Sequence, residues 1–158
     1  MTRSRYARMP RSSAAVIAGT IAIVLNTLAR ALADLIPLTT AHGGLLRLVV
    51  LLTGGVVQVP KGAAFQTGFH IVVGLIMALL YGLVLEPLLT GPGWCRGLLY
   101  AAAVWLANAL IVLPVLDEGF AGSRYLTLPG MIWFGVCHTL FFVTLAVLYA
   151  RLAMPRLR

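Results

Sequence analysis

The chain contains the stretch His70-Ile-Val-Val-Gly-Leu-Ile-Met-Ala-Leu-Leu-Tyr81 and repeats its pattern at His138-Thr-Leu-Phe-Phe-Val-Thr-Leu-Ala-Val-Leu-Tyr149. Both copies read His-x7-Ala-x-Leu-Tyr, and each lies inside an apolar run that is long enough to cross a membrane. Two of the 3 histidines in the chain therefore occupy equivalent positions. We interpret the pattern as a duplicated helical hairpin, which predicts a polar pair inside a membrane bundle.

The composition of the chain is that of an integral membrane protein. Hydrophobic residues make up 61% of its 158 residues and charged residues 10%, and the mean hydropathy is +0.99. Each of four apolar segments exceeds the roughly 20 residues that a helix needs to cross a bilayer. These segments are Ser13–Pro37, Gln66–Leu89, Trp94–Leu116 and Pro129–Leu152. We therefore predict an all-α bundle of four transmembrane helices in a single membrane domain, residues 1–158.

The four predicted spans form two hairpins, residues 13–89 and 94–152, which follow a basic tail at residues 1–12. Each hairpin has an even number of spans, so the two copies run in the same direction, as in parallel-repeat membrane proteins. The first outer loop contains an apolar, glycine-interrupted segment at residues 44–59. This segment is short for a fifth span, and we predict that it is re-entrant or interfacial.

The distribution of basic residues predicts the orientation of the chain. The residues that fall on the side of the termini are Arg3, Arg5, Arg8, Arg11, Arg96, Arg151, Arg156 and Arg158. Only Arg47, Lys61 and Arg124 fall on the other side. Because basic residues stay in the cytoplasm, we predict a protein of the bacterial inner membrane with cytoplasmic N and C termini. We assign the net charge of +8 to topology and anionic lipid rather than to nucleic acid.

Small residues recur at four-residue spacing in three spans. The pairs and triplets are Ala18-x3-Ala22, Gly74-x3-Ala78-x3-Gly82 and Ala103-x3-Ala107. Such spacings let helix backbones approach closely in lipid, where apolar burial contributes little to association. We predict that all three sets pack against neighbouring helices.

Five polar residues fall in the outer half of the predicted bilayer, spread over all four spans. They are Arg30, Asp34, His70, Asn108 and His138. A charged side chain that faces lipid costs several kcal/mol, about 2.5 or more, so we expect one inward-facing cluster. The basic-before-acidic order of Arg30 and Asp34 does not stabilise an isolated helix, so partners on other helices are expected.

This cluster is open to several interpretations. It can be a structural network that fixes helix register. His70 and His138 can also ligate a haem b or a metal ion, although two histidines without further ligands are thin support. A third interpretation is proton-linked, because imidazole titrates near pH 6.5 in water, and Glu86 at the cytoplasmic end could extend the route. No nucleophile constellation or phosphate loop occurs in the sequence, so we predict that the protein is not an enzyme.

The motifs together resemble one protein family. Arg30-x3-Asp34-x2-Pro37, His70-x7-Ala78-x2-Tyr81-x4-Glu86, Trp94, Pro114 and a last-span histidine at His138 resemble the YagU-like family of bacterial inner-membrane proteins. The resemblance covers roughly residues 14–150 and implies a role in acid tolerance, without an established activity. This chain has Asn108 where the resemblance leads one to expect a third-span histidine, which puts a histidine relay there in doubt.

Two classes of function follow from the sequence. The first is a non-catalytic accessory or scaffold subunit, with lipid and other membrane-protein subunits or further copies of the chain as partners. The alternative is a proton-linked or small-solute transport or pH-responsive protein that uses the polar cluster.

Overall fold

The computed structural model describes residues 9–36, 38–39, 44–56, 59–60 and 62–153, with the backbone alone at Asp34. All regular secondary structure in this part of the chain is helical. The helices are α1 (Arg11–Asp34), α2 (Gly44–Leu52), α3 (Ala63–Leu88), α4 (Gly93–Val115) and α5 (Leu128–Ala153), with a short 3₁₀ turn at Phe120–Gly122.

Four of these helices, α1, α3, α4 and α5, are long and apolar enough to cross a membrane. Their mean hydropathies lie between 1.8 and 2.3, and their bounds fall within three residues of the predicted spans. The prediction of an all-helical chain with four membrane-spanning segments is therefore confirmed for the described residues. The apolar side chains on their outer faces are largely exposed in the isolated chain, as contact with a lipid bilayer requires.

The helices α3 and α4 each contain one π-helical turn, at Tyr81–Leu85 and at Asn108–Val112. Each turn comes just before a proline, Pro87 or Pro114. A proline inside a helix has no N–H to donate, and its ring clashes with the carbonyl one turn earlier. Widening the preceding turn relieves that clash without ending the helix. The two prolines thus explain where both spans become irregular.

Small side chains on α1 set the packing of the bundle. Ala14, Ala15, Ala18 and Ala22 are fully buried, because α1 packs closely against both α3 and α5. A Cβ atom placed at Gly74 of α3 would lie 2.6 Å from Ile23, which shows how close α1 and α3 approach. The helix α5 also packs along α4, whereas α3 and α4 have far fewer backbone contacts with each other. The spans therefore follow the spatial order α3, α1, α5, α4.

One packing prediction is wrong. Ala103 and Ala107 of α4 are exposed and do not form a helix interface. The close approach of α4 to α5 instead uses Gly97, where an added Cβ would lie 2.6 Å from the Cα of Val143, and the buried Ala101. The error arises because small-residue spacing marks a face that permits close approach, and α4 carries two such faces.

The helix α2 occupies the segment for which a re-entrant or interfacial conformation was predicted. It has nine residues, none of them buried, and rises about 13 Å at the usual 1.5 Å per residue. It is too short to be a fifth span. A Cβ atom added at Gly44 would lie 3.5 Å from the side chain of Leu113 on α4, and Arg47 forms an ion pair with the buried carboxylate of Glu118. These contacts hold α2 against the end of the bundle opposite the termini.

Candidate functional site

A cavity of about 670 Å³ lies among α1, α3, α4 and α5, with the first residues of α2 at its edge. Its volume is in the range of roughly 300–1,000 Å³ that is usual for small-molecule sites. The spatial order of the spans explains its position, because α1 and α5 pack tightly while α3 and α4 stand apart. Ala103 and Ala107 line this cavity, which explains why they are exposed and not packed against another helix.

Aromatic side chains close the cavity toward the half of the bundle that holds the termini. Tyr81 stacks on Tyr100 with ring centroids 5.9 Å apart and meets Tyr149 edge to face at 5.6 Å. Tyr100 also contacts Phe142 at 4.3 Å, and its hydroxyl lies 3.1 Å from the sulfur of Met77. This aromatic layer joins α3, α4 and α5, so the cavity is confined to the half of the bundle opposite the termini.

The structure brings four of the five predicted cluster residues to this one cavity. Arg30, His70, Asn108 and His138 come from α1, α3, α4 and α5 respectively, and each lines the cavity wall. The backbone of Asp34 lies at the end of α1, but its side chain is outside the described part of the structure. The four described residues share a cavity rather than forming one directly bonded group.

A buried amide that the sequence analysis did not single out connects three of the spans. The Nδ2 atom of Asn26 donates a hydrogen bond to the carbonyl oxygen of Cys137 on α5 at 2.7 Å. Its Oδ1 atom lies 2.9 Å from Nε2 of His70 on α3. Asn26 is only 5% exposed. A signal for it exists in the sequence, because Asn26, Arg30 and Asp34 follow one another at four-residue spacing on one face of α1.

The other two polar residues of the predicted cluster bond within their own helices. Nδ1 of His138 lies 2.9 Å from the carbonyl oxygen of Phe134, and Nδ2 of Asn108 donates to the carbonyl oxygen of Val104 at 2.9 Å. Neither residue has a cross-helix hydrogen bond to Arg30 among the described atoms. Both side chains satisfy a backbone carbonyl one turn earlier, a common solution for polar groups in lipid.

The hydrogen bonds assign a role to each ring nitrogen of the two histidines. Because Asn26 accepts through Oδ1, Nε2 of His70 is the donor, and Nδ1 of a neutral ring is left with a lone pair. Likewise Nδ1 of His138 donates to a carbonyl, which leaves the lone pair on Nε2. Neither lone pair has a hydrogen-bond partner among the described residues. His70 and His138 therefore each keep one imidazole acceptor, and both residues line the cavity together with Arg30.

Thr27 and Trp133 also line the cavity. The hydroxyl of Thr27 is bonded to the carbonyl oxygen of Ile23 at 2.8 Å. The indole nitrogen of Trp133 is fully buried and has no hydrogen-bond partner within the described part of the chain, so its N–H is not presented to the cavity.

The metal and haem interpretations depend on His70 and His138. Among the described residues, no group of three or more His, Cys, Asp or Glu side chains is placed to hold a metal ion. Two imidazoles with free lone pairs in one cavity remain compatible with axial ligation of a haem. That interpretation stays a prediction, and the arrangement adds no third ligand to it.

Glu86 lies in the half of the bundle that holds the termini, beyond the aromatic layer. Its carboxylate pairs with Arg96 at 2.7 Å, and Arg96 also donates to the carbonyl oxygen of Gly91 at 2.8 Å. Sixteen residues separate Glu86 from His70, about 24 Å of helical rise. The ion pair explains this residue as a charge at a helix end, and a proton route through it stays a prediction.

Comparison with known proteins gives no relative from which a role could be transferred. No family model, curated protein or solved structure matches the chain.

Proposed function

We propose that the protein binds a small solute in this cavity and serves in its transport or sensing across the bacterial inner membrane. The observation that carries the proposal is the 670 Å³ cavity, to which all four spans contribute a polar side chain. Ligand sites between the helices of membrane bundles commonly combine a largely apolar wall with a few convergent polar groups.

The packing of the chain supports this class of function over a purely structural one. Helices in lipid are held together by close van der Waals contact, so a bundle that serves only as a scaffold gains stability by closing such a space. Here α3 and α4 stay apart, and small residues of α4 face the gap. The accessory-subunit role that the sequence predicts draws no support from the cavity, and we do not propose an enzymatic activity.

The proposal also includes the orientation of the chain, its internal repeat and its family. We place both termini in the cytoplasm, from the distribution of basic residues, so the cavity faces the extracytoplasmic side. We also treat the two hairpins as copies of one unit, because Ala78 and Ala146 are both fully buried and Tyr81 contacts its counterpart Tyr149. Membership of the YagU-like family is part of this proposal and rests on the sequence motifs.

Native mass spectrometry of the protein extracted from its own membranes tests the proposal. The wild-type protein is expected to carry a non-covalent small-molecule adduct. Ala103→Leu adds side-chain volume to the cavity and should lose the adduct. The neighbouring residue Ala102 is also exposed on α4 but does not line the cavity, so Ala102→Leu is the matched control and should keep the adduct.

An equal adduct in both variants, or its absence from all three proteins, would contradict the proposal. The optical spectrum of the same samples separates a solute from a cofactor. A haem absorption band that disappears in His70→Ala and His138→Ala would show that the bound molecule is haem and not a solute.

A further inference from the structure

A belt of polar side chains crosses the cavity, contributed by Asn26, Thr27, Arg30, His70, Asn108 and His138. Toward the bilayer centre the lining becomes apolar, with Ile23, Val73, Met77, Val104 and Phe142. Apolar side chains also line the cavity on the other side of the belt, with Leu46, Val112, Leu113 and Phe134. From the belt inward, the gradient has the same direction as that of a lipid leaflet, polar nearer the surface and hydrocarbon at the centre.

The cavity is open toward the bilayer on its side between α3 and α4. The backbones of these two helices have few contacts, and Ala103 and Ala107 are exposed at the gap. In a membrane this side faces acyl chains. A molecule that already lies in the leaflet can therefore enter the cavity sideways without passing through water.

The polar end carries a fixed positive charge. Arg30 lies in the cavity wall, and a guanidinium binds carboxylates and phosphates through paired hydrogen bonds. Asp34 lies one turn further along α1, so a comparison of an acidic with a neutral probe measures the net positive charge that the cavity presents.

We infer that the cavity binds a single-chain amphiphile with an acidic head group. Its head lies at the level of Arg30 and His70, and its tail extends along Ile23, Met77 and Phe142 to the aromatic layer. This inference rests on the proposed function and names its substrate class. The volume corresponds to roughly 20 water-sized groups at about 30 Å³ each, enough for one acyl chain.

Fluorescence quenching in nanodiscs tests this inference with a defined probe. Trp133 is made the sole tryptophan through Trp94→Phe and Trp105→Phe, and 9,10-dibromostearic acid is titrated as the quencher. Quenching should saturate at a low mole fraction of the acid. Ala103→Leu should raise the half-saturating mole fraction at least tenfold, while Ala102→Leu should leave it within twofold of the starting protein.

The role of the acidic head is measured with a neutral probe of the same tail. Half-saturation of quenching by dibromostearyl alcohol should need at least a tenfold higher mole fraction than half-saturation by the acid. The same protein is used for both probes. Arg30→Gln should remove most of this difference. Arg124→Gln, in the outer loop where Arg124 pairs with Asp117, should preserve it.

Three results would overturn the inference. They are equal saturation by the acid and the alcohol, equal effects of Ala102→Leu and Ala103→Leu, and equally tight saturation by a dibrominated phosphatidylglycerol. If any of these occurs while native mass spectrometry still detects a different adduct, the proposed function stands and only the substrate class is wrong.

Discussion

Oδ1 of Asn26 lies 2.9 Å from Nε2 of His70, while Nδ2 of the same amide donates to the Cys137 carbonyl at 2.7 Å. One buried side chain thus connects α1, α3 and α5. These connections hold three walls of the cavity in register, and they determine which nitrogen of His70 is free to meet a ligand.

Replacing Asn26 by leucine should destabilise the protein by about 1–2 kcal/mol, because two interhelical hydrogen bonds are lost and the His70 donor is left unpaired. Thr20→Val is the control, since the exposed Thr20 bonds only to the carbonyl oxygen of Val16 in its own helix. Denaturation in mixed micelles measures both variants. If Asn26→Leu costs no more than Thr20→Val, the amide does not hold the spans together.

The two tyrosines that end the repeated pattern should respond differently to removal of their hydroxyl groups. The buried hydroxyl of Tyr149 donates to the Gly82 carbonyl oxygen at 2.9 Å, so Tyr149→Phe should cost about 1 kcal/mol. The hydroxyl of Tyr81 is buried and has no partner at normal hydrogen-bond geometry in the described structure, so the nearby Arg96 guanidinium makes at most a weak contact with it. Tyr81→Phe should therefore be neutral or slightly stabilising. Thermal melts in one detergent compare them, and equal losses would contradict this assignment.

The four spans could be predicted from the sequence because each is a long, predominantly apolar run bounded by glycine, proline or charge. The π turns at Tyr81–Leu85 and Asn108–Val112 could not, since hydrophobic periodicity does not reveal how a helix accommodates a nearby proline. Likewise, the small-residue spacing identified α1 as a packing helix. It could not show that Ala103 and Ala107 face a cavity, which depends on how far α3 stands from α4.

A double-mutant cycle tests whether Arg30 and Asp34 pair with each other or with partners on other helices. If they are paired inside the bundle, Arg30→Ala and Asp34→Ala should each destabilise the protein more than the double substitution does. Each single change strands a charge in a low-dielectric environment, whereas the double change removes both charges. Detergent melts of the three variants measure the coupling. Additive losses would show that the two residues are independent.

The orientation of the chain can be tested in intact cells. A cysteine at Ser123, in the loop between α4 and α5, should react with a membrane-impermeant maleimide, while a cysteine at Ser4 should react only after the cells are opened. The basis is the eight-to-three division of basic residues between the two sides. The reverse labelling pattern would place the cavity on the cytoplasmic side.

The candidate site could be predicted in part. Residue type and depth brought Arg30, His70, Asn108 and His138 together, because a polar group in lipid must face inward. The bonding partners could not be predicted, since they depend on the rotation of each helix about its axis. A rotation of about 100°, the angle between successive residues, decides which neighbouring helix a side chain faces, and its rotamer decides whether it bonds to its own preceding turn. Asn26 was missed because it lies deeper than the pair that follows it on α1.

The central claim is that a hydrated ligand cavity lies between the spans, and cysteine accessibility tests it most directly. Thr27 lines the cavity seven residues before α1 ends, about 10 Å along the helix, while the next residue, Leu28, is 58% exposed and lies outside the cavity lining. A thiol reacts through its thiolate, which requires water, so a cysteine that faces lipid stays inert.

In a background with Cys95→Ser and Cys137→Ala, Thr27→Cys should react with a small anionic methanethiosulfonate added outside intact cells. Leu28→Cys should not react. Reaction at Leu28→Cys alone, or at neither position, would contradict the account.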